Sequence, residues 1–365
     1  MHSLSKWSVC TVGVSLLSLS ACGGSASDGV DASINDGAST IADLGAGDAL
    51  TPISHPDGGS APTSTSIQAA TDTATHNIAC IGGGAGGKDI RPFYWEIGNA
   101  NGPIVSGSVT DTGQTTYTAT SVMAIASASK WFYSTYWVQR MNAVVTATDI
   151  KFFNFWSGYT NFSSCVGSTT VASCLAIAHN GTTNGTLDAT TENKFDYGGG
   201  HMQVHAASIA GIGALDNVAL ATEIQSQVGA EIAITYNEPQ LAGGIATSAA
   251  EYAKLLRKII GGALVMKNVL GTHPVCVDPA SCLEAVSTPS PAGEKWHYAI
   301  GHWVEDDPTV GDGAFSSPGA FGFYPWIDSS KIYYGVVARK ALGGALTSVY
   351  CGRLIRKAWM TGVEQ

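Results

Sequence analysis

The spacing of apolar and polar residues changes several times along this chain, and the changes mark its elements. Phe93-Tyr94-Trp95-Glu96-Ile97-Gly98 and Ile104-Val105-Ser106-Gly107-Ser108-Val109 are β-like runs joined by Asn99-Ala100-Asn101-Gly102-Pro103. Aromatic and β-branched runs around such a turn cluster predict a hairpin. From 128 to 143 the spacing lengthens, and Trp131, Phe132, Tyr136 and Val138 recur near the helical period. Residues 145–290 mix loops with helical stretches. One is Ser248-Ala249-Ala250-Glu251-Tyr252-Ala253-Lys254-Leu255-Leu256, closed by Gly261-Gly262 in the manner of a C-cap. Strand-like runs return at 296–304, 320–327 and 332–338, and 347–361 reads as a closing helix. The order predicts an α+β fold, with a sheet built from both chain ends and a mostly helical insertion between them.

The first 70 residues do not follow this pattern. Lys6 precedes a short apolar run over 9–19, and Leu19-Ser20-Ala21-Cys22-Gly23-Gly24 follows. This is the layout of a secretory signal, with an apolar run too short for a stable membrane span. The Leu-Ser-Ala-Cys ending resembles a bacterial lipobox. That implies a leader over 1–21, cleavage before Cys22, and lipidation of its thiol, leaving the protein anchored to the membrane on the outer side of the cytoplasm. An ordinary signal peptide cut nearby is the competing reading. Residues 22–70 are rich in Gly, Ala, Ser, Thr and Asp, a composition that cannot offset its ordering entropy by burial. They are expected to form a flexible tether, and 71–365 the folded body.

Charge and cysteines refine the picture. The net charge is −10, and the first 70 residues hold one base and six acids, so the body stands near −5. A mildly acidic body argues against nucleic acid as a partner. With Cys10 removed and Cys22 lipidated, Cys80, Cys165, Cys174, Cys276, Cys282 and Cys351 remain, an even set that suggests disulfides in an exported protein. The short spacings make Cys165–Cys174 and Cys276–Cys282 natural loop staples, with Cys80 and Cys351 then tying the domain ends, although sequence alone does not choose the pairing. No CxxC spacing supports a metal, and no cofactor is expected.

Two motifs suggest chemistry. Gly82-Gly83-Gly84-Ala85-Gly86-Gly87-Lys88 has the form of a phosphate loop, but Asp89 stands where a Ser or Thr should, and Arg91-Pro92 and a strand follow instead of a helix. It reads as a glycine loop. Ser127-Ala128-Ser129-Lys130 places a hydroxyl and an amine on one helix face, i to i+3, so a neutral Lys can take the Ser proton during attack on a carbonyl. Alone the pattern is weak, since Ser3-Leu4-Ser5-Lys6 matches it too.

Further segments give it context. Ile125-Ala126-Ser127-Ala128-Ser129-Lys130-Trp131 resembles the nucleophile motif of the serine β-lactamase and penicillin-binding-protein superfamily, closest to the class C β-lactamase-like esterases and amide hydrolases. In order, Phe155-Trp156-Ser157-Gly158-Tyr159, Phe195-Asp196-Tyr197-Gly198-Gly199, Leu241-Ala242-Gly243-Gly244-Ile245-Ala246-Thr247-Ser248-Ala249-Ala250-Glu251-Tyr252, Tyr298-Ala299-Ile300-Gly301-His302-Trp303 and Gly319-Ala320-Phe321-Gly322-Phe323-Tyr324 resemble later family segments. The resemblance implies a β-lactamase/transpeptidase-like antiparallel sheet flanked by helices. It implies that Ser127 is the acylated nucleophile, Lys130 its proton acceptor and Tyr197 a second acid–base group. It places Ser317, Gly319, Ala320, Gly199 and His201 at the substrate and oxyanion site.

Two departures stand out. Gly199 replaces the usual Asn of the second motif, with His201 a possible substitute, and no Lys, Arg or His occurs from 311 to 322, where a cation commonly binds a substrate carboxylate. The expected activity is therefore hydrolysis of a neutral small-molecule ester or amide by a monomer, with Trp131, Tyr159, Trp296 and Trp326 lining a pocket or filling the core. The alternatives are a β-lactamase or D-alanyl carboxypeptidase, and a catalytically inactive surface binding protein of the same fold.

Overall fold

The computed structural model describes residues 63–83 and 88–365. The leader, Cys22, most of the tether and the centre of the glycine loop lie outside the described residues. Eight strands form one antiparallel sheet: β1 (Phe93–Asn99), β2 (Gly102–Val109), β3 (Val275–Cys276), β4 (His297–Ala299), β5 (His302–Glu305), β6 (Ala314–Ser316), β7 (Tyr324–Ile327) and β8 (Tyr333–Ala338), among the described residues. They lie side by side in the order β2-β1-β8-β7-β6-β5-β4-β3. The N-terminal hairpin thus joins the C-terminal strands, with Tyr94 opposite Ala338 and Asn99 opposite Tyr333. β1 and β8 are buried along almost their whole length, as strands covered on both faces must be. β2, at the edge, alternates between partly buried and exposed positions.

Seven helices matter here: α1 (Ser64–His76), α2 (Ser129–Arg140), α3 (Ala147–Phe153), α4 (Gly200–Ser208), α5 (Asn217–Val228), α6 (Ala249–Ile260) and α7 (Ala345–Thr361). α6 packs on β8 and β1, and α7 packs against β7, β8 and α1. Every residue of α2 from 129 to 138 is buried, so this helix runs through the core with no solvent stripe.

Three expectations change. α1 begins seven residues inside the stretch expected to be tether. Thr63 caps its first turn by accepting from the Ser66 N–H at 3.1 Å, and the small side chains Ala69, Ala70 and Ala74 are buried in the packing with α7. The run 296–304 is a hairpin, not one strand. Ile300 (φ 42°) and Gly301 (φ 76°) turn the chain between β4 and β5, the positive φ at both positions being that of a type I′ hairpin turn. A β-branched residue in that conformation hides the turn from a propensity reading. The Ile300 N–H is held by Asn154 Oδ1 at 2.6 Å. The third change is at 320–327, where only Tyr324–Ile327 is strand and the preceding residues form a tight connection from the unanticipated β6.

The six body cysteines pair as Cys80–Cys351, Cys165–Cys174 and Cys276–Cys282. The first joins the segment after α1 to α7. Trp131, Trp296 and Trp326 are core residues, at most 1% exposed, while Tyr159 is partly exposed and stacks on Phe152.

Candidate active site

Ser127 lies in a 3₁₀ turn, Ala126–Ala128, that runs directly into α2. Three contacts fix this turn. Tyr252 Oη donates to the Ala128 carbonyl at 2.9 Å. The Ile125 N–H donates to Ile245 O at 3.0 Å, and the Ile245 N–H donates to Ser129 Oγ at 3.2 Å. Ala126 carries φ 44°, a left-handed conformation costly for alanine, directly before the candidate nucleophile.

The i to i+3 spacing brings Lys130 beside Ser127. Lys130 Nζ donates to Ser127 Oγ at 2.9 Å and to the Ala242 carbonyl at 3.1 Å. Both residues are fully buried, so the amine–hydroxyl contact is formed away from water. The amine also lies over the Tyr197 ring, whose centroid is 4.7 Å from Nζ. Tyr197 is itself stacked on Trp303 at 5.2 Å and packed edge-on against Phe155.

The connection after β6 closes the site. Ser317 Oγ donates to the Ser127 carbonyl at 3.1 Å across 190 residues of sequence. Gly319 packs so closely that a Cβ there would stand 2.0 Å from Ile125 O. The Gly319 N–H bonds Phe323 O at 2.8 Å, and Gly344 N–H bonds Ala320 O at 3.0 Å. Ala320, Ala126 and Ala345 form a small apolar cluster, with Phe321 packed against it.

Two of the expected substrate contacts take other roles. His201 is fully buried, with Nε2 donating to Asp196 O at 3.0 Å and Nδ1 accepting from Ser157 Oγ at 2.7 Å. Burial pushes its pKa down to about 3, so it is a neutral pin for the segments around Ser157 and Tyr197, not a substitute for the missing amide. Gly199 caps the start of α4, and a Cβ there would meet the Phe162 ring at 2.6 Å. The ring thus occupies the space that a side chain at 199 would need.

Sequence reasoning missed the Ala242 carbonyl, which offers no side-chain signal although its segment was marked. It missed Tyr252, which reads as one more apolar face of α6. It also missed a buried chain in which His205 bridges Tyr133 Oη (2.6 Å) and Asp149 Oδ1 (3.0 Å), tying α2, α3 and α4 together. His302 of β5 is a second neutral histidine. Its Nε2 accepts from the Gly271 N–H at 3.0 Å, and burial lowers its pKa to about 3.

No protein-family model matches the sequence, and a comparison with curated proteins finds no match. Solved structures do match in fold. The D-stereospecific amidohydrolase from Streptomyces sp. is similar with a TM-score of 0.50 at 12% identity, over 82% of this chain and 98% of that one. The octameric penicillin-binding protein homologue from Pyrococcus abyssi gives a TM-score of 0.51 at 12% identity, over 75% of this chain and 74% of that one. The antiparallel sheet with its helical insertion, shared with these structures, is the β-lactamase/transpeptidase-like fold of the β-lactamases and penicillin-binding proteins.

Proposed function

We propose that the protein is a serine hydrolase that cleaves a neutral ester or amide through an acyl-enzyme on Ser127. The observation that carries this reading is the buried 2.9 Å contact from Lys130 Nζ to Ser127 Oγ, with Lys130 oriented by the Ala242 carbonyl. As the neutral amine, Lys130 takes the hydroxyl proton while Oγ bonds to the substrate carbonyl carbon. The backbone N–H groups of Ser127 and Ala320 hold the oxyanion that forms. Collapse breaks the bond to the leaving group, which receives the proton from Lys130 directly or through Tyr197. Water then attacks the acyl carbon, the same groups carry its proton, and Ser127 regains its hydrogen as the acid departs.

Labelling with a fluorophosphonate probe tests this. The parent should label and Ser127→Ala should not, while Lys130→Ala should slow labelling by roughly 10²–10⁴-fold. Equal labelling of Ser127→Ala would sink the assignment. If neither protein labels, a non-catalytic binding role on the same fold gains. Faster turnover of a chromogenic cephalosporin than of a p-nitrophenyl ester would favour a β-lactamase or carboxypeptidase, against the absence of a cation from 311 to 322.

We also propose that the protein is exported and lipid-anchored at Cys22. The leader pattern supports this, as do three disulfides, which persist in oxidising compartments. Cys22→Ala should move the protein from the membrane fraction to the soluble fraction of the cell envelope.

A further inference from the structure

We infer that the acyl group carried by Ser127 is apolar and uncharged, and that Phe321 sets how much of it is bound. This rests on the hydrolase reading above and names the substrate class for that site. Ala126 precedes Ser127, and Ala320 follows Gly319, the residue packed on the nucleophile turn. With Ala345 they form an apolar cluster separate from the main core, and Phe321 is only partly buried against it. An acyl carbonyl on Ser127 Oγ with its oxygen at the Ala320 N–H therefore stands beside hydrocarbon. Outward, the Ala341 N–H holds Phe321 O at 2.9 Å, and the next side chain, Leu342, is 86% exposed.

The packing beneath Lys130 is apolar as well. The Phe162 ring fills the space over Gly199, and Gly199 lies against Ala242, whose carbonyl holds Lys130. Lys130 is committed to Ser127, residues 311–322 carry no Lys, Arg or His, and His201 and His302 are neutral. Arg339, beside Gly322 and Gly344, is held by Gly344 O and Ser348 Oγ, so a carboxylate against this cluster would lose its water for little return, whereas each methylene buried there should raise kcat/KM by about fourfold.

The test compares p-nitrophenyl acetate, butyrate, hexanoate and octanoate with mono-p-nitrophenyl succinate and adipate, in the parent, Phe321→Ala and Phe321→Lys. In the parent, kcat/KM should climb from acetate to butyrate, and succinate should fall at least about tenfold below butyrate. Phe321→Ala should flatten the gain with chain length while Ser127 still labels with fluorophosphonate, and Phe321→Lys should narrow the gap between butyrate and succinate. Succinate turned over as well as butyrate, or a chain-length profile indifferent to Phe321, overturns the inference. Failure of the hydrolase reading looks different: Ser127→Ala then keeps its ester turnover, or no ester is cleaved and no probe labels, and the inference falls with it.

Discussion

Replacing Gly319 with alanine tests whether the β6–β7 connection is a working wall of the site. The added Cβ would stand 2.0 Å from Ile125 O, 3.0 Å from Ile125 C and 3.4 Å from Ala128 N. Ordinary carbon–oxygen contact begins near about 3.3 Å, so the connection must retreat from the nucleophile turn by about 1.3 Å. That shift carries Ala320 N–H away from Ser127 and stretches the Ser317 Oγ bond to the Ser127 carbonyl, now 3.1 Å. Overpacking of this kind destabilises by about 1–3 kcal/mol. A misplacement of about 1 Å at a reacting centre costs about 10²-fold, or about 2.7 kcal/mol of transition-state stabilisation. Gly319→Ala should therefore fold, melt a few degrees lower, and lose about 100-fold in kcat/KM on a p-nitrophenyl ester, with fluorophosphonate labelling slowed in parallel. A variant that melts lower but keeps kcat/KM within threefold of the parent would show that the connection is packing alone, and that Ala320 does not bind the oxyanion.

Two further predictions concern stability. His201 and His302 have folded-state pKa values near 3, depressed from 6.5 by burial. The unfolded chain therefore binds more protons between these values, and stability falls as pH drops from 7. Each histidine should cost about 2 kcal/mol between pH 7 and pH 5. Urea midpoints should track this, and the slope should ease in His201→Gln; an unchanged slope refutes the assignment. The Cys80–Cys351 bond spans 271 residues and Cys165–Cys174 spans nine. Loop-closure entropy assigns them about 5–6 and about 2–3 kcal/mol respectively, so Cys80→Ala/Cys351→Ala should lower the urea midpoint roughly twice as far as Cys165→Ala/Cys174→Ala. Equal losses would contradict this.

The parts of the fold that were legible in the sequence are those set by local spacing. The 93–109 hairpin, the buried helix after Ser127 and the closing helix follow from period and turn chemistry. The Ser127–Lys130 contact follows from i to i+3 geometry, and the disulfide pairing agrees with the short spacings. The rest depends on partners far along the chain. Ile300 in a positive-φ turn gives no local hint, because Asn154, from another segment, holds its N–H. His201 has the sequence appearance of a site residue, and only its burial between Ser157 and Asp196 shows it to be a pin. The Ala242 carbonyl that orients Lys130 is a backbone atom, so no residue type announces it.

The bond between Ser317 and Ser127, 190 residues apart, also sets when the candidate site can be complete. Residues 125–130, 242–245 and 317–320 must all be in place before the site exists, and the last of these follows Ser127 by 190 residues or more. A chain still emerging from synthesis holds Ser127 and Lys130 but not the wall that completes them. Contacts this distant in sequence carry a large loop-closure cost. On the proposed hydrolase reading, turnover should begin only once the C-terminal strands have docked, so the onset of hydrolysis would serve as a clock for completed folding.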